Sequence, residues 1–219
     1  MTRSEPTLLL TGFEPFGGEL DNPAMALLPH FSQRRIGGHR VETELLPVSF
    51  AGGAASLAAA LQRISPRLVL GIGQAGGRSR LSLERVALNL IDARIPDNEG
   101  VQPFDAPVIA GAPLAYLSNL PLKAMLAALQ LQGIPAELSL SAGSYVCNAV
   151  FFALCHQAAA LAPPPRVGFL HVPYLPSQAA HHPGAPSMAL ETMRTGLETL
   201  LHTALATPVD IVATGGTIC

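Results

Sequence analysis

Short apolar runs alternate along the chain with longer segments in which apolar residues recur every three or four positions. The runs have the character of strands and cover residues 7–11, 41–48, 67–72, 85–90, 136–140 and 166–172. The segments with helical spacing cover residues 23–28, 51–63, 120–132, 147–160 and 187–206. This alternation is typical of a mostly parallel sheet with helices on both faces, so the pattern predicts an α/β fold. We expect residues 1–219 to form one domain.

The composition argues against several classes of partner. Charged residues make up 13% of the chain, hydrophobic residues 49%, and the formal net charge is −2. The scattered basic residues do not fit nucleic-acid binding. No apolar run reaches the roughly eighteen residues of a membrane span, no signal-like segment begins the chain, and we expect a cytoplasmic protein. A surface this poor in charge also predicts apolar contacts between subunits and hence a homo-oligomer.

Cys147 is the first candidate for chemistry. The sequence SAGSYVCN leads into the helical run AVFFALCH, which places Cys147 at a helix N-terminus after a turn at Gly143 and Ser144. Unpaired N–H groups and the positive end of the helix dipole favour a thiolate there, and the same N–H groups could stabilise an oxyanion. A buried cysteine is more often a packing residue, so this position alone leaves both interpretations open.

Two further residues could complete a nucleophilic site. The strand-like run RVGFLHVPY ends near His171, and a histidine and a cysteine from different strand ends can meet in space. A carboxylate that fixes the imidazole tautomer would be the third member, and Glu84 is the best candidate, where a strand is predicted to begin. Taken alone, a histidine in an apolar strand such as His171 is more often a hydrogen-bonded core residue than a base, and Glu84 could equally be an exposed strand residue paired with Arg85.

Other motifs are weaker. GIGQAG at residues 71–76 matches a dinucleotide-binding pattern, but the following segment alternates like a strand, so we expect these glycines to allow a close backbone approach around Gln74. His181 and His182 lack metal-ligand spacing and predict a surface loop, and three cysteines without CxxC spacing predict neither a zinc site nor a disulfide framework. Cys155 is expected to be an inert core residue, and terminal Cys219 is uninformative.

Four segments together resemble one family. They are TGFEPFGG with a following NP, then GQAGGR with ERVALN and DARIPDN, then SAGSYVCN, and finally GFLHVPYLPSQ. In this order and spacing they resemble the pyroglutamyl-peptidase I family of cysteine peptidases. The resemblance implies a three-layer α/β/α sandwich, a cytosolic enzyme without cofactor or metal, pyroglutamylated peptides as substrates, and commonly a tetramer.

The resemblance also implies roles for individual residues. Cys147 would be the nucleophile, His171 the base and acid, and Glu84 the residue that orients His171. Arg94 of DARIPDN would support the oxyanion together with the N–H of Cys147. The pocket for the uncharged lactam would be formed by residues from three loops: Phe13, Phe16, Asn22, Gln74, Tyr145 and Val146. Asn22 is expected to be mainly structural, and Tyr145 stands where the family usually has Phe.

Two alternatives remain open at this point. A different cysteine amidase or deamidase could use the same layout on another small cyclic or acyl group. A non-catalytic binder of small molecules would also fit glycine-rich loops on an α/β sheet. The complete set of Cys147, His171 and Glu84 argues against the binder, which does not need it.

Overall fold

The computed structural model describes residues 5–215 and contains strands and helices in alternation. The strands are β1 (Thr7–Phe13), β2 (Arg35–Ile36), β3 (His39–Leu46), β4 (Leu68–Gln74), β5 (Leu81–Glu84), β6 (Val86–Leu88), β7 (Ala115–Leu117), β8 (Ala136–Ser139) and β9 (Arg166–Val172). The helices are α1 (Pro23–Leu27), α2 (Phe50–Ile64), α3 (Leu122–Leu131), α4 (Val146–Ala159), α5 (Pro176–Ala179) and α6 (Leu190–Ala206). None of these helices is both long and apolar enough to cross a membrane.

Seven strands form one mixed sheet in the order β2-β3-β1-β4-β9-β5-β8. The central strands β3, β1, β4 and β9 are parallel, whereas β5 runs antiparallel to β9 and parallel to β8. The direction of the sheet therefore reverses between β9 and β5. Strands β6 and β7 form a separate antiparallel pair.

Alternate residues of the central strands face two different hydrophobic cores. Leu8, Leu10 and Leu70 pack on the side of α1, α3 and α6, whereas Leu9 and Val69 pack on the side of α2 and α4. Strands buried on both faces carry nearly continuous apolar sequence, which is why these runs were recognisable in the sequence. The predicted mostly parallel α/β fold with helices on both faces is confirmed, as is the implied three-layer sandwich.

The predicted strand at residues 85–90 is wrong in its bounds. The sheet strand β5 ends at Glu84, and the chain leaves the sheet at Arg85, whose N–H donates to Ser139 while its carbonyl accepts from Ser118. Polar and apolar residues keep alternating through β5 and β6, so periodicity alone could not locate the change of sheet. Glu84 consequently lies at the end of a strand and not, as predicted, at the beginning of one.

The glycines of residues 71–76 lie in and after β4, and no helix opens there. A Cβ atom on Gly71 would lie 2.6 Å from the Phe169 ring, and one on Gly76 would collide with the Tyr174 ring. The predicted close backbone approach is therefore confirmed.

Candidate active site

Cys147 lies in the first turn of α4, which begins directly after Tyr145. Gly143, with φ of 82°, provides the left-handed turn that leads from β8 into this helix. The fully buried side chain of Asn148 anchors the helix start, because its amide accepts from Leu88 N and donates to the carbonyls of Leu88 and Leu90, each at 2.9 Å. The thiol is thus fixed at a helix N-terminus.

The thiol rests on a glycine of the neighbouring strand. A Cβ atom on Gly73 would lie only 2.8 Å from Sγ of Cys147. Burial raises the pKa of the Cys147 thiol to about 12, with a further rise from the charge of Glu84 and opposing effects of Arg78 and of its own backbone N–H. The acidic thiol expected from the helix position is therefore not found, since burial outweighs the helix terminus. A neutral thiol needs a base that removes its proton during attack.

His171 and Glu84 form a buried pair on the same face of the sheet as this thiol. His171 is paired with Gly73 across β4 and β9, and Phe169, two residues before it, packs against the same core as Cys147. Nδ1 of His171 lies 2.7 Å from Oε1 of Glu84. In the antiparallel register, Glu84 stands opposite Phe169, which puts it on the same face as His171 and within diagonal reach.

Arg78 adds a contact that the sequence did not reveal. Its Nη1 donates to Oε1 of Glu84 at 2.7 Å, and its Nη2 donates to the Ser141 carbonyl at 3.0 Å. Oε1 of Glu84 already accepts from the guanidinium and can only accept from His171 as well, so Nδ1 of His171 carries a proton; in the neutral imidazole Nε2 then has the lone pair. The other oxygen of Glu84, Oε2, is buried and makes no hydrogen bond within residues 5–215. Arg78 ends the segment GQAGGR, but only the tertiary structure shows its partner.

A small cavity opens beside the thiol. Its lining consists of Phe13, Phe16, Asn22, Val48, Gln74, Tyr145, Val146 and Cys147. All six residues that the resemblance assigned to the pocket are among them, and Val48 is the one that sequence reasoning missed. The walls are mostly apolar. The amide of Gln74 is a polar group in the lining that does not cap a helix, unlike the amide of Asn22.

The polar groups of Asn22 and Tyr145 make hydrogen bonds within the protein. Asn22 accepts from Ala24 N at 2.9 Å and so caps α1, and its amide donates to the Glu14 carbonyl. The Tyr145 hydroxyl donates to the Pro96 carbonyl at 2.9 Å. The phenolic oxygen that distinguishes this position from Phe is therefore engaged by the loop around Pro96.

Arg94 lies in this same loop, after Asp92, whose N–H donates to the Ser144 carbonyl. Its side chain is exposed, and it makes no hydrogen bond or ion pair with any group in residues 5–215. Asp97, three residues on, is buried. Burial opposes ionisation, but N–H donors from Phe50, Val101 and Glu99 outweigh it and lower the pKa of Asp97. The loop base is thus fixed beside the cavity while Arg94 projects from it.

The remaining candidates lie apart from this cavity. Cys155 lies on α4 and is buried, and burial raises the pKa of its thiol to about 12, as expected of an inert core thiol. His182 stacks on Tyr174 and contacts Glu19 at 2.5 Å. No group of three or more potential metal ligands occurs in the described part of the chain, residues 5–215. Cys219 lies outside the described residues.

Known proteins resemble this chain along nearly its whole length. The profile of the pyroglutamyl peptidase family matches residues 7–207. A pyrrolidone-carboxylate peptidase of Escherichia fergusonii is 50% identical over 210 residues, which are 96% of this chain and 98% of the relative. Pyrrolidone-carboxylate peptidase 1 of Photorhabdus laumondii is 46% identical over 215 residues, which are 96% of this chain and 98% of the relative.

Solved structures agree with the sequence relatives. The crystal structure of pyroglutamyl peptidase I from Bacillus amyloliquefaciens superposes with a TM-score of 0.92 at 38% identity, covering 96% of this chain and all of that one. Pyrrolidone carboxyl peptidase from Pyrococcus furiosus superposes with a TM-score of 0.90 at 40% identity, covering 93% of this chain and all of that one. The chain therefore belongs to the pyroglutamyl peptidase family.

Proposed function

We propose that this chain is a pyroglutamyl peptidase that removes an N-terminal pyroglutamyl residue from peptides through a thioester on Cys147. The observation that carries the proposal is the position of this thiol in the wall of a small apolar cavity, beside the buried pair of His171 and Glu84. The family to which the chain belongs agrees with this activity. The whole chain, residues 1–219, would act as one catalytic domain without cofactor or metal.

His171 makes the neutral thiol reactive. Its Nε2 takes the proton from Cys147 as Sγ forms a bond to the pyroglutamyl carbonyl carbon. The resulting imidazolium is stabilised by Glu84, whose carboxylate accepts from Nδ1. When the carbon–nitrogen bond breaks, Nε2 returns the proton to the leaving amine, and the shortened peptide departs. Water, deprotonated by the same Nε2, then attacks the thioester carbonyl; the carbon–sulfur bond breaks, Nε2 returns the proton to Sγ, and pyroglutamate is released.

The tetrahedral intermediate needs donors for its oxyanion. The N–H groups at the start of α4, that of Cys147 included, have no carbonyl within the helix to pair with. Arg94 would supply a further donor from the neighbouring loop when substrate is bound, since its exposed side chain is engaged by no group in residues 5–215. Loss of such a donor should lower the rate about a hundredfold or more.

The lining of the cavity suits a ring without charge. Phe13, Phe16 and Val146 provide apolar walls, and a lactam has no ammonium group whose burial would cost energy. Tyr145 contributes its ring, because its hydroxyl is bonded outside the cavity. Asn22 shapes this end of the pocket through its cap on α1. Gln74 remains as the group that can hydrogen-bond the lactam.

Release of a chromophore from a pyroglutamyl amide tests the proposal. Wild type should release it, Cys147→Ala should not, and Cys155→Ala should keep the activity because that thiol is buried two turns further along α4. Full turnover by Cys147→Ala would refute the nucleophile assignment. A different cysteine amidase is the second candidate, and equal cleavage of prolyl and pyroglutamyl amides would favour it.

We further propose a homotetramer in the cytoplasm. Exposed apolar side chains support assembly: Phe104, Leu114 and Leu117, all between α2 and α3, are 66%, 89% and 69% exposed. A thiol nucleophile that must stay reduced supports the location. Light scattering after gel filtration would show a mass near four chains, and a monomer at working concentrations would refute the assembly. Fractionation of producing cells would check the location.

A further inference from the structure

We propose that Gln178 sets the lactam specificity of the pocket by fixing the orientation of the Gln74 amide, so that an N–H donor meets the lactam carbonyl. The inference rests on the proposed function. Gln178 lies in the short helix α5 and is buried, with 4% of the residue's surface exposed. Its side chain does not line the cavity itself.

Backbone groups fix which end of the Gln178 amide is oxygen. Leu175 N, which can only donate, lies 3.0 Å from Oε1, and the Asp21 carbonyl, which can only accept, lies 3.1 Å from Nε2. A reversed amide would bring two donors together at Leu175 and two acceptors together at Asp21. The orientation of Gln178 therefore follows from main-chain chemistry.

This orientation determines that of Gln74. Nε2 of Gln178 lies 2.9 Å from the Gln74 side chain, so the Gln74 atom that faces it must be the acceptor Oε1. Nε2 of Gln74 donates to no group within residues 5–215, although the residue is 7% exposed and lines the cavity. An amide whose oxygen is engaged keeps its N–H donors for a ligand.

A hydrogen-bond donor in the pocket can distinguish a pyroglutamyl ring from a prolyl ring. The lactam carbonyl accepts from Nε2 of Gln74, whereas a prolyl ring has no carbonyl and brings a charged amine that the N–H donors and apolar walls disfavour. If Gln74 were free to turn, its Oε1 would face the lactam oxygen in part of the molecules. Gln178 prevents this, at a distance from the reacting atoms.

Glu19 offers a variant that conserves the net charge. Its Oε2 accepts from Nε2 of Gln178 at 3.3 Å. In the double variant Glu19→Gln, Gln178→Glu the two residues exchange side chains. The net charge is kept, but a carboxylate oxygen of residue 178 then faces the Asp21 carbonyl, and His182 loses the carboxylate that it contacts. The carboxylate at position 178 can then only accept, and Gln74 must turn its Nε2 toward it and its Oε1 toward the ligand. Gln178→Met removes the donor without adding an acceptor.

The experiment measures KM and kcat for a pyroglutamyl amide and Ki for 2-pyrrolidone, which carries the lactam carbonyl but no scissile bond. Gln178→Met should raise KM and Ki about tenfold with kcat within about threefold, as expected when a hydrogen bond to a buried polar group is lost. The exchange variant should raise both at least as much. Gln130→Met, an exposed change on α3, should alter neither.

Thermal unfolding confirms that each variant is folded. Wild-type KM and Ki in either folded variant would overturn the proposal, and so would a fall of kcat alone, which would assign Gln178 to the chemistry. The preference for pyroglutamyl over prolyl amides should fall with the rise in KM. Failure of wild type to cleave the pyroglutamyl amide would instead refute the proposed function, while 2-pyrrolidone binding would still test Gln178.

Discussion

Substitution of Gly73 by alanine tests the geometry of the thiol directly. The new Cβ would lie 2.8 Å from Sγ of Cys147 and 3.0 Å from Cε1 and Cζ of Phe169, whereas unstrained carbon contacts are about 3.5–4.0 Å. Phe169 is 1% exposed and packs between Phe13 and Phe151, so it has little room to move. We therefore expect the thiol to shift by about 1 Å, and such a misplacement of a reacting group lowers the rate about a hundredfold.

The assay compares kcat/KM with thermal stability, and Gly71→Ala is the matched control. Gly71 lies on the same strand, β4, as Gly73. Its Cβ would also press on Phe169, at 2.6 Å, but no atom of Cys147 is among its three nearest neighbours. Both changes should cost about 1–3 kcal/mol of stability from overpacking. Only Gly73→Ala should also lose about two orders of magnitude in kcat/KM and slow the alkylation of Cys147 by iodoacetamide. Wild-type kcat/KM in folded Gly73→Ala, or equal losses in both variants, would refute the reasoning.

Three further predictions concern the groups around the thiol. Glu84→Gln should fold but lower kcat about a hundredfold, because the imidazolium loses its charged acceptor, and unchanged steady-state kinetics would exclude the orienting role. Arg78→Met should lower kcat about tenfold with little change in KM, and Arg78→Lys should restore part of it; equal rates for Arg78→Met and the exposed variant Arg80→Met would contradict this role. The raised pKa of the Cys147 thiol predicts two pH effects. Alkylation of the free enzyme should keep accelerating beyond pH 9 toward pH 12. Because the folded state disfavours the thiolate, the stability contributed by the neutral thiol is present below pH 9 and lost as pH rises toward 12. Chemical unfolding should therefore show that the free energy of unfolding falls more steeply with pH in wild type than in Cys147→Ala. Parallel pH slopes in the two proteins would contradict the raised pKa.

Local features of the sequence predicted the position of Cys147 correctly. The turn at Gly143 and the apolar spacing after Val146 are short-range signals, and they placed Cys147 at the start of a helix. The apolar runs of β4 and β9 were recognisable for the same reason, because strands buried on both faces need apolar residues at every position. The fold class followed from these runs.

Long-range features could not be predicted in this way. The raised pKa of the thiol depends on how much protein surrounds it, which a helix position does not reveal. Arg78 and Gln178 act through hydrogen bonds to Glu84 and Gln74, and the second of these spans 104 residues. The role of Glu84 in orienting His171 follows only from the family resemblance, since residue spacing left its role undecided.

The reversal of strand direction between β9 and β5 explains why the site needs Arg78. Phe13 and Gln74 end parallel strands, and His171 is the last but one residue of another, so these side chains meet at one edge of the sheet. A parallel neighbour of β9 would bring its own end to this exposed edge. The antiparallel strand β5 instead places Glu84 opposite Phe169, two residues before His171, and with no exposed surface. A carboxylate buried there beneath His171 needs a cationic partner within hydrogen-bond distance, and Arg78, which reaches in from a partly exposed position, provides it at 2.7 Å.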